Sequence, residues 1–267
     1  MRIGNLDGRL TLFRDGGAVD VAEASGELFS ADPQAVYRRW DEFRRWAAQN
    51  PGTPQPYSLD QLGPPAPRPE QVFGIGANYR AHAAEGGLEV PEWPMVFTKY
   101  VSSFASATGV ITLPTDTVDW EVELVVVVGR TAFHVPAEHG WSYVAGLTLG
   151  QDLSERTTQL LGQLPQMSMG KSFPGFSPTG PYLVTPEEFD DPDNLQLSCL
   201  LNGDVVQKAS TADLVHSVPK LIAELSSVLP LSPGDVIFTG TPEGVGTTRK
   251  PPRYVQPGDV LVSRLDG

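Results

Sequence analysis

Glu121-Val122-Glu123-Leu124-Val125-Val126-Val127-Val128 is the stretch on which the fold turns. It alternates acidic and apolar residues at first and then becomes wholly apolar, as a strand does on entering a buried sheet. In a strand, positions i and i+2 face the same way, so the carboxylates of Glu121 and Glu123 converge. Convergent carboxylates are costly unless a cation lies between them. Their oxygens suit Mg2+, Mn2+ or Ca2+ rather than soft metals. The competing reading is an edge strand with two solvated acids, and the apolar run that follows argues against it.

Downstream, Val144 to Gly150 reads as a strand that ends just before Asp152. Asp152 could complete a set of three carboxylates, although taken alone it reads as a helix cap. Further strands are expected at 72–76, 95–97, 182–184, 195–201 and 236–239. Leu214 to Leu229 is the best helix of this half, with Leu214, Val218, Leu221, Ile222, Leu225 and Leu229 on one stripe. The helices are too few for alternating βα units, so the expected class is β-rich α+β rather than doubly wound.

Upstream, Leu10–Phe13 and Ala18–Val21 flank the turn Asp15-Gly16-Gly17, and a helix is expected from about Asp32 to Ala48. Arg38, Arg39, Arg44 and Arg45 on that helix read as a solvated face. Pro51, Pro54, Pro56, Pro64, Pro65, Pro67 and Pro69 make an extended connector. We place a boundary near Pro69, giving a small N-terminal domain with linker (1–69) and a larger domain (70–267).

The 267-residue chain carries a formal charge of −13 and no Lys/Arg cluster, which argues against a nucleic-acid partner. Cys199 is the single cysteine, so no intrachain disulfide can form, and its apolar neighbours make it a small buried hydrophobe. The longest aliphatic run, Leu124–Val128, is too short to span a bilayer, and the first residues lack a signal-peptide core. A cytoplasmic enzyme without membrane association is expected.

His82 and Glu85 lie three residues apart on an expected short helix, where a carboxylate can orient an imidazole as a general base. Gly86 and Gly87 beyond them could let the segment move as a lid. An exposed turn with an ordinary ion pair is the alternative. Lys99 and Lys171 are candidate anion contacts, each otherwise a surface lysine. Pro165 occupies the place of the first glycine of a phosphate loop before Gly170-Lys171-Ser172, so that motif is rejected. Gly74-Ile75-Gly76 does not continue into a dinucleotide fingerprint, and neither Ser154 nor Ser226 sits in a nucleophile elbow. His134, His139 and His216 have no partner visible in the sequence and receive no role.

Seven blocks in order resemble the fumarylacetoacetate hydrolase family over about residues 72–260. They are Gly76-Ala77-Asn78-Tyr79 with His82 and Glu85; Pro94 with Phe97 and Lys99; Asp119-Trp120-Glu121-Val122-Glu123-Leu124; Asp152-Leu153-Ser154 with Arg156 and Gln159; Gly170-Lys171-Ser172 with Phe176, Pro178, Gly180 and Pro181; Leu201-Asn202-Gly203 with Gln207; and Pro233-Gly234-Asp235 followed by Thr239 to Gly246. The resemblance implies a mixed β-roll core, usually in homodimers. It implies Mg2+ or Mn2+ held by Glu121, Glu123 and Asp152, and a His82–Glu85 pair that activates water. Lys171, Gln159 and Arg156 match positions that face the substrate, and Thr241 one that contacts a substrate carboxylate. Asp119 reads as structural support. Thr157 stands where the family usually has Asp, which implies altered support behind the ligands. The stretch from Val260 resembles the start of the family's last strand and tail, so a further C-terminal segment is expected.

The activity implied is metal-dependent hydrolysis of a C–C bond in a small β-diketo or 2-oxo acid such as an acylpyruvate. His82 would take a proton from water, and Lys171 would neutralise the leaving enolate. The alternative is a decarboxylase, hydratase or tautomerase acting on a related 2-oxo acid. A non-catalytic binding protein is the third reading, disfavoured because all five metal and dyad positions are filled.

Overall fold

The computed structural model describes residues 1–49 and 52–266, so Pro51 of the connector and Gly267 lie outside the described residues. Val122–Val128 forms the expected strand, buried throughout. Its two faces enter different clusters. Val125 and Val127 pack with Phe29, Trp40 and Phe43, while Leu124, Val126 and Val128 pack with Leu221, Ile222 and Leu225. Covering both faces is what makes the run wholly apolar.

Around it lies a mixed sheet of eleven strands. Val144–Gln151 runs antiparallel along one side and Val236–Phe238 along the other. Val72–Gly76 then pairs parallel with Val236–Phe238, and Met95–Thr98 closes that end antiparallel. On the other side Ser177–Val184 links Val144–Gln151 to Arg2–Leu6, and Arg9–Arg14 and Gly17–Asp20 follow. A three-stranded sheet, Asp204–Ser210, Gln196–Leu201 and Leu261–Asp266, packs through Leu197, Cys199 and Leu201 against Trp120 and Val122. The fold is α+β and β-rich, as expected.

Sheet and core are continuous across Pro69: Arg2–Leu6 pairs with Ser177–Val184, and Leu10 and Phe43 share a cluster with Val125 and Phe238. That boundary marks a change in sequence pattern. The N-terminal helix is 3-10 over Ala35–Arg39 and α over Trp40–Gln49, buried through Val36, Trp40 and Phe43.

The helix expected over 214–229 is shorter, Val218–Ser226, and begins with Pro219 in its first turn. Leu214 pairs with Tyr79 in an isolated bridge, and Val215 N–H donates to Asn78 O. The strand expected over 182–184 starts at Ser177. Pro178, Gly180 and Pro181 disguise its first half, because prolines are depleted in strand interiors.

Candidate active site

Three carboxylates meet at the end of the central strand. Glu123 lies in the strand, Glu121 just precedes it, and Asp152 follows its neighbour Val144–Gln151. Asp152 N–H donates to Glu121 O at 2.8 Å, which pins the two strand ends together. All three residues are buried, and each offers an oxygen within 4.8 Å of the others.

The charges around them are unevenly shared. Lys171 Nζ donates to Glu121 Oε2 and to Asp152 Oδ2, both at 2.6 Å. Arg156 donates to Glu121 Oε1 at 2.8 Å and, through two nitrogens at 2.7 and 2.9 Å, to Asp119 Oδ2. Lys99 Nζ donates to Asp152 Oδ1 and to the carbonyls of Lys171 and Phe176. Glu123 accepts from Gly240 N–H at 2.8 Å, and no salt bridge reaches it among the described residues.

Titration follows this asymmetry. Burial works to raise the Glu121 carboxyl, yet the Lys171 and Arg156 charges beside it bring it down to about 2. Burial, then repulsion by Asp152 and Glu121, holds the Glu123 carboxyl well above its ordinary value. Lys171 is raised, because the Asp152 and Glu121 charges outweigh its burial, whereas burial lowers Lys99. Three buried oxygen donors, one without a counter-charge, are a donor set that fits a hard divalent cation.

The site opens into a cleft of about 170 Å3. His82, Glu121, Glu123, Arg156, Gln159, Lys171 and Thr241 supply its polar wall, and Ile75, Leu88, Met95, Phe97, Met167 and Val245 the apolar one. A larger opening of about 530 Å3 lies beside Met1, Tyr57 and Tyr182, but none of the three clustered carboxylates reaches it.

His82 and Glu85 do lie on a short helix, Arg80–Glu85, with Nδ1 3.4 Å from Oε2. Glu85 also accepts from Gly244 N–H at 3.1 Å and Thr248 Oγ1 at 2.7 Å. The dyad is thereby tied to the loop after Thr241. Thr241 Oγ1 donates to Val122 O at 2.9 Å and accepts from Gln207 at 2.9 Å. Gln159 accepts from Arg156 Nη1 at 2.9 Å and stands on the cleft wall.

Lys99 departs from expectation. Its side chain is fully buried and absent from the cleft wall, so it is a counter-ion behind Asp152 rather than a substrate contact. The sequence could not distinguish the two sides of Asp152. Asp119 is support, as read: it accepts from Arg156, from Gly246 N–H at 2.7 Å and from Thr247 N–H at 3.0 Å. Thr157 turns its hydroxyl to Thr117 at 2.8 Å, and its N–H donates to Glu155 at 3.0 Å rather than to the three clustered carboxylates. Thr248 was missed because nothing in its neighbourhood in the sequence signals a partner 163 residues away. Among the described residues, no helix is long and apolar enough to cross a membrane.

This β-rich scaffold carries three clustered carboxylates at its central strand end, a set that could hold a metal ion. Residues 71–267 match the fumarylacetoacetate (FAA) hydrolase C-terminal model, and the chain belongs to that family. It is 41% identical over 225 residues to the mitochondrial oxaloacetate tautomerase of Rattus norvegicus, covering 84% of this chain and 71% of that one. A crystal structure from Mycobacterium smegmatis superposes with a TM-score of 0.95 at 50% identity, covering 99% of this chain and 95% of that one. Maleylpyruvate hydrolase from Sphingobium sp. SYK-6, in complex with manganese(II) ion and pyruvate, gives 0.81 at 29% identity, over 100% of this chain and 95% of that one. Hydrolases, isomerases and tautomerases all occur among these relatives.

Proposed function

We propose that the protein catalyses keto–enol interconversion of a small 2-oxo dicarboxylic acid such as oxaloacetate. The observation that carries this reading is the Glu121–Glu123–Asp152 cluster opening, beside Lys171 and His82, into a cleft of about 170 Å3. A space of that size suits a small acid rather than a drug-sized ligand. The 41% identical tautomerase supports the same reading.

Glu121, Glu123 and Asp152 would hold Mg2+ or Mn2+, with Ca2+ as a further candidate on donor chemistry. When bound, the ion supplies Lewis acidity toward the 2-oxo acid oxygens. Lys171 and Arg156 bring positive charge to the wall where enolate character develops. His82, held by Glu85, moves the proton: it takes one from the enol oxygen or returns one to the adjacent carbon. One proton leaves oxygen and one is added to carbon, so no water is consumed.

A second reading keeps the same residues and adds water. His82 then deprotonates water, hydroxide adds to the distal carbonyl of an acylpyruvate, and the C–C bond breaks; its electron pair leaves as the pyruvate enolate, which takes the proton back from His82 to give two acids. The exposed edge of the dyad and the maleylpyruvate hydrolase likeness favour it. Enol decay of oxaloacetate and product analysis on acetylpyruvate decide between them. Accelerated enol decay with intact carbon skeletons supports the tautomerase, and two acid fragments overturn it in favour of the hydrolase. Homodimer assembly and the cytoplasmic location belong to the same proposal, and light scattering and fractionation test them.

A further inference from the structure

His216 received no role from its sequence, yet it is almost fully buried and bonded at both ring nitrogens. Nδ1 lies 2.8 Å from Glu224 Oε2 and 3.1 Å from Oε1, and Nε2 lies 3.2 Å from Pro91 O. An ionised carboxylate and a backbone carbonyl only accept hydrogen bonds. Both ring nitrogens thus face oxygen acceptors, which ties the ring at both ends. Lys220 Nζ stands 3.6 Å from the other Glu224 oxygen on the same helix.

Pro91 belongs to the stretch between the His82 helix and the strand Met95–Thr98. Among the described residues, the bond from His216 is the one hydrogen bond that residues 89–94 make to the rest of the protein. The segment that follows the His82 helix is thus tied at two points. Glu85 fastens its upstream end to Gly244 and Thr248, and His216 fastens its downstream end. Between and just beyond these ties stand Leu88, Met95 and Phe97 on the cleft wall. The His216 backbone is itself fixed by Asn78, which accepts its N–H at 2.8 Å and donates to its carbonyl at 3.1 Å. Asn78 also donates to Thr239 O at 2.7 Å, two residues before Thr241.

We infer that His216, held by Glu224, is a positioning residue: it clamps Pro91 and so sets the wall of the cleft over the substrate. The catalytic consequence rests on the oxo-acid reading of the cleft, whereas the clamp itself does not. Losing it frees the segment without touching the proton-transfer groups. Substrate binding then weakens while the chemical step persists.

The test compares the 267-residue protein, with Mn2+ present, with His216→Phe, which fills the space and forms neither bond. Hydrogen–deuterium exchange is expected to quicken by about tenfold at residues 86–93 and to stay unchanged in Val122–Val128. KM for oxaloacetate is expected to rise about fivefold, with kcat changed by less than about twofold. Glu224→Gln keeps the size and removes the charge, so it should move both readouts in the same direction by less. It also decides the matter if His216→Phe fails to unfold cooperatively. Unaltered exchange at 86–93 in the folded variants, or a fall in kcat at constant KM, overturns the clamp. The exchange result needs no turnover, so it stands even if the substrate class is wrong.

Discussion

Lys171 Nζ donates to Asp152 Oδ2 at 2.6 Å, and this bond organises the charge of the site. The same ammonium serves Glu121, and Lys99 reaches Asp152 from behind. Lys99, Lys171 and Arg156 thus neutralise Asp119, Glu121 and Asp152, leaving Glu123 with a backbone amide. A buried carboxylate so placed calls for a further cation.

Glu123→Ala should therefore abolish divalent-ion binding and metal-dependent turnover together. Calorimetric titration with Mn2+ and an activity assay check this. Retained metal binding with full activity would remove the three carboxylates from the site assignment.

Lys171→Met is expected to separate the two properties. Deleting a positive charge beside two of the carboxylates removes a competitor for the ion, so Mn2+ affinity should hold or rise. Turnover should fall by about 10²–10³, because the charge that meets the developing enolate is gone. A variant that loses metal and activity in parallel would instead make Lys171 a purely structural group.

His82→Ala should leave metal binding intact and lower kcat by about 10²–10⁴, the usual range for a lost general base. Thr248→Val removes the hydroxyl that donates to Glu85 without altering shape. It should reduce kcat by about tenfold or less, since the Gly244 amide still holds the carboxylate. A pH–rate profile for each variant shows whether the dyad or another group carries the proton.

Much of this was legible in the sequence, for physical reasons that differ by element. Glu121 to Val128 announced itself because burial on both faces leaves no polar alternation beyond Glu123. Asp152 was legible through its place after a strand and through the block Asp152-Leu153-Ser154 that it opens. The 214–229 helix was overextended because Leu214 keeps the apolar stripe while serving a bridge to Tyr79. Arg2–Leu6 went unread, since its pairing with Ser177–Val184 is set by contacts more than 170 residues away. His216 and Glu224 are eight residues apart, and His216 precedes the helix, so no helical spacing links them. Lys99 shows the same limit: a strand pattern gives its existence but not which side of Asp152 it takes.

Gly246→Ala should loosen the loop above the site. A Cβ there would meet Arg253 O at 1.8 Å and Asp119 Oδ1 at 2.7 Å. Backbone cannot yield cheaply, and the shift would pull Gly246 N–H from Asp119, whose other oxygen holds Arg156. A loss of about 1–3 kcal/mol in urea unfolding is expected, in line with overpacking of a close-packed interior. A variant as stable as the parent would show that the 244–248 loop is not needed to order Asp119.

The sharpest test of the Glu123 asymmetry is the stability of the metal-free protein against pH. Glu123's carboxyl is held well above 4.5, so its contribution to stability is fully present below that value and is lost as pH rises through the raised one. Glu121 acts in the opposite sense: its contribution is present above 4.5 and is lost as pH falls through about 2. Glu123→Gln retains an acceptor for Gly240 and removes the titration. Without metal, the variant should therefore gain on wild type steadily as pH is raised from 4.5 toward neutrality. With Mn2+ at about a hundred times its Kd, wild type should recover about 2.7 kcal/mol and the variant nothing comparable. Urea midpoints across pH, with chelator and with Mn2+, measure all four cases. Parallel pH slopes for the two metal-free proteins would mean that Glu123 is already compensated, and the electrostatic case for a cation at this strand end would fall with it.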